Sequence, residues 1–358
     1  MDIIITSPSL DPSINISGIS SVTQFIIDNN KCHTYLHFEL GKHDKDSGSI
    51  LCRIIANFKK LIKWIKLLYK NKHAIIHYNF PLSSFSIMRD PLFIMIARIM
   101  HMRVIIHIHG GAILCSEQVP PLFYYILRKT FSGDIPLIVQ SEYEKNTLVH
   151  TYKCHTVYIL PNCVNVSDAN KHYKKKINLN AKLVIGYIGR IAEAKGMDYL
   201  LAACISLKER HIPYLLKLAG QEEIENQYIP LFREQLGSNF IYEGVVSGDR
   251  KDKYYKSLDV FVLPSFFEGL PMSLLESMSY GIVPITTKVG SIEKVVKEGI
   301  NGLYVEVKDS VSIENKFLAL NADRELLCTM SQAAHKTIID HFNPSQYIKK
   351  LNIIYANA

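Results

Sequence analysis

The sequence predicts an α/β protein made of two doubly wound, parallel-sheet domains. Three observations carry this. Short apolar, strand-like runs alternate with helical segments in both halves of the chain, the pattern of parallel sheets with crossover helices. A polar, lysine-rich stretch at 165–182 interrupts that alternation and suits a surface linker. The length of 358 residues exceeds one ordinary core, and 48% hydrophobic with 21% charged residues is the composition of a folded chain.

In the first half, a strand over 3–6 is followed by a polar loop holding Gly18 and a helix over 20–28. A long helix over 49–71, a strand over 74–78, a helix over 91–100 and a strand over 104–109 come next. A helix near 122–130, a strand over 137–140, a helix from Ser141 and a strand over 156–160 complete this half. The second half opens with a strand over 183–189 and a helix over 196–210, then strands over 214–219 and 240–242. A helix over 251–257, a strand over 260–263, a helix over 271–280, a strand over 283–286 and a helix over 292–297 precede closing helices. The expected domains are 1–168 and 182–342, with 343–358 as a C-terminal helix packing back on the first. Two such domains in succession place a ligand in the cleft between them, at the carboxyl ends of the strands.

Cysteines at 32, 52, 115, 154, 163, 204 and 328 form no C-x-x-C pair. Their scatter fits neither a disulfide framework nor a zinc ribbon, which points to a reducing, cytoplasmic compartment. Met1-Asp2 runs straight into a strand-like segment, so no signal peptide is expected, and Arg98 and Arg103 break the greasiest region before it could span a bilayer. Residues 1–179 carry 21 Lys and Arg against 12 Asp and Glu, leaving 20 against 21 for the remainder. The basic excess belongs to the first half alone and fits an acidic partner there: nucleic acid, an anionic membrane surface or a phosphate-bearing substrate.

Three segments carry chemistry. In Gly189-Arg190-Ile191-Ala192-Glu193-Ala194-Lys195-Gly196, a strand end is followed by two cations. Arg190 can grip a phosphate bidentately and Lys195 can act as a point charge. In FFEGLPMSLLESMSYG, Glu268 precedes a helix and Glu276 lies within it, off the apolar stripe of Leu274, Leu275 and Met278. The Gly269-Leu270 turn can present backbone amides at that helix start. A carboxylate pair of the glycosidase type faces across one bond, about 5–10 Å apart. Here the two carboxylates instead reach different parts of one elongated ligand, and a carboxylate also suits a ribose diol. In His107-Ile108-His109-Gly110, alternation puts both histidines on one face, with His109 at the cleft end and His107 in the core.

These segments, with LLKLAG, KVGSIEKVVKEGINGLYV, VQSEYEK and ILPNCVN in the same order, resemble the retaining glycosyltransferases of GT-B fold that carry an E-x7-E motif (glycosyl transferases group 1, family 4). The resemblance covers nearly the whole chain. It implies a nucleotide-sugar donor bound by the second domain and a saccharide acceptor bound by the first; the basic excess of the first half favours an acceptor that is lipid-linked through polyprenyl diphosphate. Arg190 and Lys195 would hold the diphosphate, Glu276 the ribose hydroxyls, and Glu268 the donor sugar. The Gly269 and Leu270 backbone would approach sugar or phosphate, His109 would touch the sugar, and Gly18 would lie in the donor loop. No cofactor is implied, since the nucleotide-sugar is a substrate; a uridine diphosphate sugar is favoured over a guanosine one. No nucleic acid and no metal are expected, and the setting implied is bacterial surface polysaccharide assembly (O-antigen, capsule or lipopolysaccharide).

The chain departs from the family pattern at single positions. Only Gly18 stands where a Gly-Gly pair is usual, Cys163 follows Asn162 in place of glycine, and Ser291 replaces a common glycine. Asp44-Lys45-Asp46 is a D-x-D, but its polar loop lacks the buried strand that a metal site of that type needs. An H-x-H site completed by Cys115 has no further ligand pattern. The turn Gly299-Ile300-Asn301-Gly302 reads as structural. In the segment 53–73, Phe58, Leu61, Ile62, Ile65, Leu68 and Tyr69 recur at helical spacing among lysines. This reads as a basic amphipathic helix, its apolar stripe inward and its lysines towards lipid headgroups. A GT-B-like epimerase and a non-catalytic partner subunit are alternative uses of the same nucleotide cleft.

Overall fold

Apolar strands assemble into two six-stranded, all-parallel sheets. The computed structural model describes residues 1–11, 14–15, 17–41, 50–110, 113–114, 119–164 and 182–358, the side chains of 50–55 excepted. The D-x-D at 44–46, Cys115 and all but the last residue of the 165–182 stretch lie outside the described residues. The chain divides into two compact units: Met1–Asn162 with Pro344–Ala358, and Cys163–Asn343.

The first unit holds β1 (Asp2–Ser7), β2 (Thr34–Glu39), β3 (Ile75–Phe80), β4 (Arg103–Ile108), β5 (Leu137–Val139) and β6 (Val157–Ile159), in the order β2-β1-β3-β4-β5-β6. Its helices are α1 (Gly18–Asn29), α2 (Ile50–Lys70), α3 (Ser84–Ile99), α4 (Pro121–Thr130) and α5 (Glu142–His150). Every residue of β3 is buried, as a central parallel strand covered on both faces requires. The strand order reverses direction at β1. Right-handed crossovers therefore place α1 on one face and α2 to α5 together on the other. The last helix of the chain, Pro344–Ala356, joins α1: Tyr347 meets Phe25 edge to face, and Asn30 donates to Asn352 at 2.7 Å.

The second unit holds β7 (Leu183–Ile188), β8 (Tyr214–Ala219), β9 (Phe240–Gly244), β10 (Val260–Leu263), β11 (Val283–Thr287) and β12 (Leu303–Val305), in the order β12-β11-β10-β7-β8-β9. Its helices are α6 (Met197–Glu209), α7 (Ile229–Leu236), α8 (Gly248–Lys256), α9 (Met272–Ser279), α10 (Ser310–Ala322) and α11 (Arg324–His341), leaving Pro344–Ala356 as α12. Here the order reverses between β7 and β10. A topological switch point of this kind opens a crevice at the carboxyl ends of those two strands.

The structure corrects several sequence expectations. The helix expected over 91–100 begins at Ser84, capped by Ser83, and carries Pro91 inside it. Residues 292–297 form only a short 3-10 turn at Ile292–Lys294. The apolar stripe of α2 does not point inward as a whole. Trp64 and Leu68 are buried, the indole of Trp64 donating to the Phe93 carbonyl at 3.0 Å, whereas Phe58, Ile62, Ile65 and Tyr69 are exposed. That hydrogen bond sets the rotation of the helix, because a buried indole N–H needs an acceptor.

Candidate functional site

The crevice of the second unit is built by three loops tied together through their backbones. After β7, the chain makes a 3-10 turn at Glu193–Lys195 and passes through Gly196 at φ +75°. A Cβ at Gly196 would lie 2.2 Å from the Pro264 carbonyl oxygen, so only glycine allows this approach to the loop after β10. The Phe266 N–H donates to the Ala194 carbonyl at 2.9 Å and completes the junction. On the other side, the Ser291 N–H donates to the Gly269 carbonyl at 3.0 Å. Gly290, at φ +58°, comes so near that a Cβ there would sit 1.9 Å from the Glu268 carbonyl oxygen.

This stitching fixes the first carboxylate. Glu268 Oε1 lies 2.6 Å from Lys195 Nζ and accepts a hydrogen bond from Ser265 Oγ at 2.7 Å. Gly290→Ala should therefore displace the Glu268 backbone. It is expected to lower the stability of the second unit by about 1–3 kcal/mol, read as a fall in its unfolding midpoint.

Pro271 caps α9 with ψ 129°, so the helix starts one residue later than expected, at Met272. Glu276 lies in its second turn and has its own partners on α8. Oε1 is 2.7 Å from Lys251 Nζ, and Oε2 accepts from Tyr255 Oη at 2.8 Å. Burial pushes the Tyr255 hydroxyl well above its ordinary pKa, so it stays a donor. Its ring stacks on Tyr280 with centroids 5.2 Å apart. Lys251 and Tyr255 were not singled out from the sequence. Their i, i+4 spacing on one helix face is the signal that could have found them.

Among the described residues, Glu268 and Glu276 thus share no hydrogen-bond partner. Arg190 is separate again: its exposed guanidinium meets Glu223 at 3.4 Å, a surface pair that restrains it little. Leu270 is buried in the core and offers only its backbone. Asn301 accepts from the Lys297 N–H at 2.6 Å and donates to the Val295 carbonyl at 2.9 Å, closing its turn.

In the first unit, His109 stands just past β4 and is only 6% exposed. Its Nε2 is 2.7 Å from Asn79 Oδ1. The Asn79 amide nitrogen donates to the Thr6 carbonyl at 2.7 Å and to Thr23 Oγ1 at 3.0 Å, which turns Oδ1 towards the histidine. His109 is thereby held as the Nε2–H tautomer with Nδ1 as acceptor. Burial, and then the neighbouring His77, push its pKa down to about 3, so the ring is neutral at ordinary pH. His107 is fully buried: its Nδ1 is 3.1 Å from His77 Nε2, and His77 Nδ1 is 2.7 Å from Tyr355 Oη. Gly18 opens α1 behind its cap Ser17, with open space where a Cβ would be. Among the described residues, no group of three or more His, Cys, Asp or Glu could hold a metal ion. Nor, among them, is any helix long and apolar enough to cross a membrane.

Residues 169–337 match the sequence model of the family Glycosyl transferases group 1. An uncharacterized glycosyltransferase of Methanocaldococcus jannaschii is 32% identical over 155 residues, covering 41% of this chain and 39% of its own length. The UDP-Gal:alpha-D-GlcNAc-diphosphoundecaprenol alpha-1,3-galactosyltransferase of Escherichia coli is 25% identical over 324 residues, covering 85% of this chain and 81% of its own. The crystal structure of Anabaena HepE in complex with UDP-glucose superposes with a TM-score of 0.75 over the full length of both chains, at 13% identity, a likeness of fold alone. The family match thus covers residues 169–337, a little under half of the chain, and the chain as a whole has a fold of GT-B type.

Proposed function

We propose that this chain is a retaining glycosyltransferase. It moves a hexose from a nucleoside diphosphate sugar, uridine diphosphate favoured, to a saccharide carried on polyprenyl diphosphate. The setting is the cytoplasmic stage of bacterial surface polysaccharide assembly, O-antigen, capsule or lipopolysaccharide. The observation that carries the reading is the separation of the two motif carboxylates. Glu268 is held by Lys195 and Ser265 at the switch point, and Glu276 by Lys251 and Tyr255 farther along. Such an arrangement suits one elongated donor better than one shared proton.

In this reading Glu276 accepts from the ribose hydroxyls and Glu268 from the donor sugar. The diphosphate lies against Arg190, Lys195 and the backbone amides at 269–270. The bond from the anomeric carbon to the β-phosphate oxygen breaks as the bond to the acceptor oxygen forms on the same face. The acceptor proton passes to the departing phosphate oxygen. Arg190 and Lys195 stabilise that leaving group electrostatically, in the role a divalent metal takes elsewhere. The Nδ1 of His109 accepts from a sugar hydroxyl, and Gly18 leaves room for the donor. The diphosphate-linked acceptor named for the Escherichia coli relative supports a lipid-linked acceptor here.

Calorimetric titration with a panel of nucleotide-sugars, with and without chelator, tests the donor and the metal together. A uridine diphosphate sugar should bind and be turned over equally well in chelator. A strict metal requirement would contradict the mechanism.

A further inference from the structure

The helices on one face of the first sheet leave an apolar surface uncovered. On α2, the exposed residues Phe58, Ile62, Ile65 and Tyr69 follow i, i+4, i+7, i+11 and form one row. Lys59, Lys63, Lys66 and Lys70 each come one position later, giving a second exposed row turned by roughly 100° around the same helix. On the neighbouring α3, Phe85, Met88, Leu92, Met95 and Ile99 are exposed at i, i+3, i+7, i+10, i+14. That stripe lies opposite the face that buries Ile87, Phe93, Ile94 and Ala97. Beyond it, α4 adds exposed Leu122 and Tyr125. The three helices are consecutive neighbours on one side of the sheet, so their uncovered stripes adjoin. Contiguous apolar surface on this scale marks a docking site.

Charge identifies what docks. Neither α2 nor α4 contains an Asp or Glu, and the one carboxylate of α3, Asp90, is buried against Arg89. Exposed Glu142 lies on α5, outside these three helices. Three aromatic rings carry a cation beside them: Lys72 over Tyr69, Arg89 over Phe85 and Lys129 over Tyr125, at 4.6, 5.4 and 5.8 Å from the ring centroids. Aromatic and apolar side chains rimmed by cations, with no exposed carboxylate on these helices, match an anionic bilayer: headgroup phosphates for the lysines, the acyl boundary for the apolar rows.

We infer that the α2–α3–α4 face of the first unit is a docking surface for an anionic lipid bilayer, on which the protein lies without spanning it. This goes beyond the lysine helix alone, since the largest apolar stripe belongs to α3. It does not depend on the chemistry of the second unit, and binding is read without turnover, so either reading can fail alone.

The test is flotation of the full chain with vesicles of phosphatidylcholine mixed with phosphatidylglycerol, compared with pure phosphatidylcholine. Binding should require phosphatidylglycerol and fall with added salt. Lys63→Gln, Lys66→Gln and Lys70→Gln together should weaken it roughly 100-fold, about fivefold for each lysine. Met88→Glu with Met95→Glu should abolish flotation while leaving the unfolding midpoint unchanged, because both positions are exposed. The inference would be overturned by no flotation of the unaltered chain, by flotation indifferent to lipid charge and to both sets of substitutions, or by flotation kept by the methionine pair. A dimer seen by light scattering, dispersed by the methionine pair and indifferent to vesicles, would assign the stripe to a second copy and equally overturn it.

Discussion

Glu276→Gln should weaken binding of uridine diphosphate itself roughly 10- to 150-fold, the worth of a charge-assisted hydrogen bond. Turnover at saturating donor should stay within about threefold, because an interaction made equally in ground and transition states acts on KM. The side chain is already oriented by Lys251 and Tyr255, so the amide keeps the geometry and loses the charge. Titration calorimetry checks the first part and steady-state kinetics the second. A large fall in kcat with unchanged nucleotide affinity would place Glu276 at the reacting sugar instead.

Glu268→Gln should do the reverse. Loss of its charge is expected to lower kcat by about 100-fold or more, the scale of a group that acts on the transition state. Uridine diphosphate should bind at least as tightly as before, since the substitution releases Lys195 from its carboxylate partner for phosphate. Weakened nucleotide binding in this variant would mean that Glu268 serves the nucleotide and not the sugar.

Much of the fold was legible because buried parallel strands read as apolar runs. The segments LVIGYI, YLLKLA and VFVL announce themselves whatever packs on them. The misses have physical causes. β2, an edge strand, is mostly half-buried and shows no apolar run, while β12 is three residues long. Pro91 reads locally as a helix start, yet α3 runs through it from Ser84, whereas Pro230 stands in the first turn of α7, where its missing N–H costs nothing. In α2 periodicity located the helix but not its rotation, which the buried Trp64 indole decides.

At the candidate site, sequence order could pair Glu268 with Glu276 along the chain but could not bring Lys195 to Glu268. That contact depends on two loops meeting at Gly196 and Pro264. Asn79 was equally out of reach: it fixes the tautomer of His109 from the adjoining strand β3.

The central claim is that the two motif carboxylates share a ligand and not a proton. The most direct measurement is a double-mutant cycle on kcat/KM with Glu268→Gln, Glu276→Gln and both together. Independent contacts along one donor predict losses that multiply to within about threefold. A double variant no worse than the more damaged single one would show the two acting as a unit, and would contradict the claim.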